Sequence, residues 1–122
     1  YRGFVSGQEK RELLATCRAV VFNGQNEDFG IVPIEANASG KTVLARGEGF
    51  PEVFVEEGEN GLLHNGTATS IRAAVERFER KKDNEIRDEW VEKFSTAAFH
   101  DQLESSVVQR YSRFRATTDR KQ

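Results

Sequence analysis

Two short β-rich runs, Ala19 to Phe22 and Thr42 to Ala45, flank a segment that carries helix start and stop signals. Val20, Val21 and Phe22 follow one another with no polar residue between them. Such a run reads as a strand buried on both faces, as in a parallel sheet. Between the runs, a helix is expected from near Ile31. Pro33 suits its first turn, where a missing N–H costs nothing, and Gly40 ends it. Upstream, Tyr1 to Val5 reads as the end of a strand. Ser6 and Glu9 then form a Ser-x-x-Glu capping box that opens a helix running to about Cys17.

The same alternation continues downstream. Arg46 to Pro51 is a glycine-bearing loop, and Val53 to Val55 reads as a short strand. Asn60-Gly61 is a turn signal, followed by a last short strand at Leu62-Leu63. Ile71, Ala74, Val75 and Phe78 mark one face of a helix. Asp83 can cap another, with Ile86, Trp90 and Phe94 in a stripe. Ser95 can cap a final helix bearing Phe99, Leu103, Val107 and Tyr111. The expected fold is therefore α/β: an open, mostly parallel Rossmann-like sheet with helices on both faces. Ligands of such sheets bind at the carboxyl ends of the strands, which points to the loops Asn23–Gly30 and Arg46–Pro51.

Composition bounds the function. The 122 residues fit one domain at most, assigned to residues 1–115 with a polar tail at 116–122. Charged residues make up 31% and the net charge is −2, so no nucleic-acid partner is expected. Glu48, Glu52, Glu56, Glu57 and Glu59 crowd one stretch that reads as solvated surface. Cys17 is the single cysteine, which excludes an internal disulfide framework and suits a buried, reduced thiol. No signal peptide or membrane-spanning run is evident. The expected location is the cytoplasm or the cytoplasmic face of a membrane. Methionine is absent and the chain opens inside a strand-like segment, so a longer gene product is expected. Truncation there should expose a sheet edge near Tyr1 to Val5 and favour self-association. His64 and His100 lack Asp or Cys at ligand spacing, and no metal is expected.

One constellation carries chemistry. Gly30 and Ile31 stand at a helix N-terminus, where free N–H groups and the helix dipole attract anions and hydroxyl-rich ligands. Glu27 and Glu35, eight positions apart, can face one crevice, and a carboxylate there can accept paired hydrogen bonds from sugar hydroxyls. The spacing alone is equally compatible with carboxylates that merely complement the helix dipole.

The run from Glu27 through Phe29-Gly30 and Glu35 to Ala36-Asn37-Ala38-Ser39-Gly40-Lys41-Thr42-Val43 resembles the signature of the family 4 glycosyltransferases. That signature is Glu, any residue, Phe-Gly, a second Glu eight positions after the first, then Ala-x-Ala-x-Gly-x-Pro-Val. Gly49-Phe50-Pro51-Glu52-Val53 and Glu57-Gly58-Glu59-Asn60-Gly61-Leu62-Leu63 resemble two further segments of the family, and the similarity covers roughly residues 1–112. The resemblance implies a retaining, nucleotide-sugar-dependent enzyme of the GT-B fold, with this chain part of its C-terminal, donor-binding domain. It implies that Glu27, the catalytic candidate, contacts the donor sugar. It places the N–H groups of Phe29, Gly30 and Ile31 on the sugar and phosphate, and Glu35 on the ribose. The donor is a substrate, GDP- or UDP-hexose with mannosyl transfer favoured, and no cofactor is implied. Asp28, Asn37 and Thr42 depart from residues common in the family (Gly, Met and Pro). The Arg and Lys that neutralise the diphosphate, and the acceptor-binding N-terminal domain, belong upstream of Tyr1. The chain alone is therefore expected to be inactive. Peripheral membrane association of the intact enzyme is compatible with the family. Two alternatives remain at this level: an epimerase or phosphorylase of similar architecture, and a non-catalytic α/β interaction module.

Overall fold

In the computed structural model, residues 1–26, 28–81 and 85–118 are described, the side chains as far as 116. The chain divides into two compact units, Tyr1–Trp90 and Val91–Gln122. The first contains α1 (Gly7–Thr16), β1 (Ala19–Phe22), α2 (Ile31–Ala38), β2 (Thr42–Arg46), α3 (Phe50–Phe54), β3 (Gly61–His64) and α4 (Ala68–Arg80). A short helix α5 (Glu89–Glu92) spans the division, and α6 (Thr96–Thr118) lies in the second unit.

The expected open parallel sheet forms. Its order is β1-β2-β3, with Val21 opposite Leu44 and Leu44 opposite Leu62. Alternate residues of β2 point to opposite faces, and Thr42 to Ala45 are all buried. On one face Leu44 and Leu62 cluster with Ala74 and Phe78 of α4, with Ala19 packed beside them. On the other, Val43 and Ala45 are equally buried, and α2 packs against β1 and β2. Helices therefore cover both faces of the central strand.

The helix starts follow their caps. Ser6 and Glu9 close the capping box reciprocally, at 3.2 Å and 2.9 Å. The Ser6 N–H and hydroxyl hold the Glu9 carboxyl below its ordinary range. Thr67 caps α4 through Ser70 N, and Ser95 caps α6 through Ala98 N. Cys17, at the end of α1, is a partly buried free thiol. The expected cap at Asp83 lies outside the described residues. Of the stripe Ile86, Trp90 and Phe94, only Trp90 is fully buried. Phe99, Leu103, Val107 and Tyr111 of α6 are all exposed.

Four expectations are corrected. Tyr1 to Val5 is not a strand, and Tyr1 and Phe4 are exposed. Extended residues gain ladder hydrogen bonds only beside another strand, and none of the described strands runs beside these. β1 is not buried on both faces: Val21 is 51% exposed, because β1 is an edge of this sheet. Val53 to Val55 is not a strand, since Phe50 to Phe54 form α3. Gly49, at φ 66°, turns the chain, and Pro51 sits in the first turn. Phe50 and Phe54 then stack one turn apart, with ring centroids 5.4 Å apart. Finally, the Asn60-Gly61 turn leads directly into the last strand, which starts at Gly61 and reaches His64. A Cβ at Gly61 would lie 2.6 Å from the Val43 carbonyl oxygen, so only glycine lets β3 approach β2 here.

Two buried amides tie the connections to the sheet. Asn60, fully buried, accepts from Glu56 N at 2.8 Å and donates to the Phe54 carbonyl at 3.1 Å. Asn37 donates to the carbonyls of Asn60 and Lys41, at 2.9 and 3.0 Å. His64 is a structural residue of the same kind. Its Nδ1 accepts from Gly66 N at 3.0 Å, so Nε2 carries the proton and donates to the Leu44 carbonyl at 3.3 Å. Burial pushes its pKa down, aided by the Arg46 charge and opposed by the carbonyls of Leu44 and Phe22. Of the acidic stretch, three residues pair with Arg: half-buried Glu48 with Arg46, and exposed Glu57 and Glu59 with Arg77 and Arg87.

Three outcomes follow from this packing. The chain taken alone should self-associate through the open edge of β1, and Val21→Lys should shift it towards monomer in sedimentation velocity. Equal sedimentation of the two proteins would exclude that edge. The Thr42 hydroxyl is buried and has no hydrogen-bond partner among the described residues. Thr42→Val keeps the shape and removes the orphan, so it should raise unfolding stability by about 1 kcal/mol; a loss of stability in urea would show the hydroxyl to be satisfied. His64 titrates below its ordinary 6.5 in the folded state, so the unfolded chain binds more protons between the two values. Stability should be full above pH 6.5 and fall as pH drops through the folded pKa. His64→Asn should flatten that decline in urea midpoints, and identical slopes would rule His64 out as its source.

Candidate functional site

The three strands are parallel, so their carboxyl ends lie at one edge of the sheet. The first loop from that edge runs from β1 into α2. Asn26 adopts φ 54°, a left-handed conformation that asparagine tolerates better than most residues. Glu27 lies outside the described residues. Phe29 is exposed and Gly30 half-buried. Gly30 is the N-cap of α2 at φ 63°, with no side-chain cap, and Ile31 is the first helical residue. Among the described residues no side chain caps the first-turn N–H groups of α2, the condition under which a helix start attracts an anion or hydroxyl.

Glu35 stands five residues into α2. No acidic residue occupies the first turn of this helix. Because dipole stabilisation fades beyond the first turn, complementing the dipole is a weak account of Glu35. Its side chain is 33% exposed and reaches Lys10 of α1, with Nζ 2.6 Å from Oε1. Behind this pair lies an open groove of about 380 Å³ between α1, β1 and α2. Leu13, Leu14, Val20, Val21 and Val32 supply most of its wall, and Lys10 and Glu35 its charges.

The second loop, from β2 into α3, meets the first through aromatic stacking. Phe29 and Phe50 have ring centroids 4.7 Å apart at 29°, and Phe54 continues the stack. Both loops that the carboxyl-end rule singles out are thus brought together. Beside them Arg46 pairs with Glu48 at 2.7 Å. A Cβ on Gly66 would lie 2.7 Å from Arg46 Nη1 and 3.1 Å from Asn23 Oδ1, so ends of β1 and β2 converge on the β3–α4 turn. Among the described residues no cluster of His, Cys, Asp and Glu has the arrangement of a metal site.

The contacts of Lys10 and Phe50 are the two features of this region that sequence reasoning missed. Lys10 sits on an exposed polar helix face, 25 positions from its partner. Phe50 reads as one apolar residue of a glycine-bearing loop. Only the Phe50–Phe54 spacing of four, on a helix the sequence does not announce, hints at its stacking role.

Known proteins share this pattern. The family model for glycosyl transferases group 1 matches residues 1–96. The human alpha-1,3/1,6-mannosyltransferase ALG2 is 33% identical over 104 residues, which is 80% of this chain and 25% of that protein. The D-inositol 3-phosphate glycosyltransferase of Corynebacterium aurimucosum is 34% identical over 111 residues, 84% of this chain and 26% of that protein. The alpha-1,3/1,6-mannosyltransferase alg-2 of Neurospora crassa is 45% identical over 56 residues, 46% of this chain and 12% of that protein. The chain thus spans about a quarter of the first two relatives' length. A match across residues 1–96, together with a parallel sheet that gathers the signature loop at its carboxyl edge, shows that this chain belongs to the glycosyl transferases group 1 family.

Proposed function

We propose that residues 1–115 are part of the C-terminal, donor-binding domain of a retaining GT-B glycosyltransferase that transfers a hexose from GDP- or UDP-hexose. Mannosyl transfer is favoured, because relatives at 30–33% identity over most of this chain are named mannosyltransferases. The observation that carries the reading is the pairing of a helix start at Gly30-Ile31, with no side-chain cap among the described residues, and a partly exposed carboxylate, Glu35, one turn further on. A nucleotide sugar combines an anionic diphosphate with vicinal hydroxyls. The first suits free N–H groups and a helix dipole; the second suits a carboxylate.

In this reading the N–H groups of Phe29, Gly30 and Ile31 bind the sugar and the adjacent phosphate, and Glu35 accepts from the ribose hydroxyls. Glu27 lies against the reacting sugar. As the nucleoside diphosphate departs, positive charge develops at the anomeric carbon, and a carboxylate beside it stabilises that charge more in the transition state than before. The acceptor and the cations that neutralise the diphosphate come from the rest of the enzyme. No metal or organic cofactor takes part. The intact enzyme is assigned to the cytoplasm or to the cytoplasmic face of a membrane, where it associates peripherally. Among the described residues no helix is long and apolar enough to cross a bilayer.

The two glutamates separate kinetically in the full-length protein. Glu35→Gln removes a contact made equally in the ground and transition states. It should mainly raise the donor KM, at a cost of about 1.5–3 kcal/mol. Glu27→Gln should depress kcat strongly. A normal kcat in a folded Glu27→Gln protein would defeat its assignment to the donor sugar. Near-normal kinetics in both variants, with about 0.3–1 kcal/mol of lost stability, would reduce both residues to dipole partners.

A further inference from the structure

Four observations set the pair of Lys10 and Glu35 apart. Its Nζ lies 2.6 Å from Glu35 Oε1. The two residues are on α1 and α2, 25 positions apart, so the fold and not either helix creates the contact. The second oxygen, Oε2, accepts no hydrogen bond among the described residues. Both side chains line the groove between α1, β1 and α2, and the rest of its lining is uncharged.

A glutamate at a helix surface samples several rotamers, and fixing one on ligand binding costs conformational entropy. An ion pair that already fixes the side chain lowers that cost. The geometry also avoids competition, because a carboxylate offers about four lone-pair directions over two oxygens. A lysine on one oxygen leaves the other able to accept.

We propose that Lys10 is a positioning residue for nucleotide binding: it holds Glu35 through Oε1 and leaves Oε2 to accept a hydrogen bond from a ribose hydroxyl. This rests on the reading of Glu35 as the ribose-binding carboxylate. Lys10 itself acts through Glu35, and the ligand class it serves is a nucleoside diphosphate with its vicinal diol intact.

The test is calorimetric titration of the full-length protein with GDP and with UDP, each beside its 2′,3′-dideoxy analogue. The ratio of the two Kd values isolates the contribution of the hydroxyls. For the nucleotide that binds, the wild-type ratio should be about tenfold or more, the size of a hydrogen bond to a charged group. Glu35→Gln should abolish most of it. Lys10→Met keeps the aliphatic stem and removes the charge, and should reduce the ratio about three- to fivefold, as expected for an exposed ion pair. Lys10→Arg should restore it, and the Lys10→Met defect should shrink at high salt. A purely structural role would weaken both ligands alike and leave the ratio untouched. If Lys10→Met keeps the wild-type ratio while Glu35→Gln loses it, the positioning role is overturned and the ribose reading stands. If Glu35→Gln also keeps the ratio, or if the wild type prefers neither nucleotide over its dideoxy form, the ribose reading fails and the role of Lys10 falls with it.

Discussion

The burial of β2 between two parallel neighbours is the constraint on which the rest of the structure depends. Val43 and Ala45 fill one face of this strand and Leu44 the other, and all three are essentially inaccessible. A strand covered on both faces and hydrogen-bonded along both edges has no freedom of register, because a slip of one residue would exchange its two packing surfaces. Gly61 tightens the same constraint, since any side chain there would strike the Val43 carbonyl. Once β2 is fixed, β1 and β3 run in the same direction beside it, and the loops leaving all three strands emerge at a common edge.

Polar and aromatic contacts tie the connections to the sheet at both of its ends. At the opposite, amino edge, Asn60 and Asn37 connect the α3–β3 and α2–β2 turns through buried amide hydrogen bonds. His64 links β2 to the turn after β3. Phe29, Phe50 and Phe54 stack from one loop into the next. Such contacts are directional, so they set the position of a loop as well as its proximity. The helix start at Gly30-Ile31 and the carboxylate of Glu35 inherit their placement from this framework. Two of the family departures, Asn37 and Thr42, each leave one buried oxygen without a partner among the described residues. Asn37 offsets this with two donated hydrogen bonds, whereas Thr42 has no such return.

Much of the architecture was legible because its signals are local. The capping box at Ser6 and Glu9, the glycine that ends α2 and the apolar periodicity of α4 each depend on residues within a turn or two. The misreadings have the opposite cause. Val53 to Val55 looks like a strand by composition, yet a positive-φ glycine, a proline and a pair of phenylalanines one turn apart make it a helix, and Val53 is left exposed. β1 looks doubly buried by composition, but its place at the edge of the sheet leaves Val21 open. Strand burial depends on neighbours distant in the chain, and no window of a few residues contains them.

The same division runs through the site. The Phe29-Gly30 step, Glu35 eight positions after Glu27, and the helix start between them follow from the order of residues, because caps and helical spacing act over one or two turns. The sequence by itself therefore determined an α/β parallel fold and the identity of its candidate binding residues. Tertiary structure alone decided that Phe50 stacks on Phe29 and that Lys10 grips Glu35 across 25 positions. Side chains from separate elements meet only when the sheet has brought those elements together, and that assembly is set by the burial of β2 and not by any property of the residues that meet.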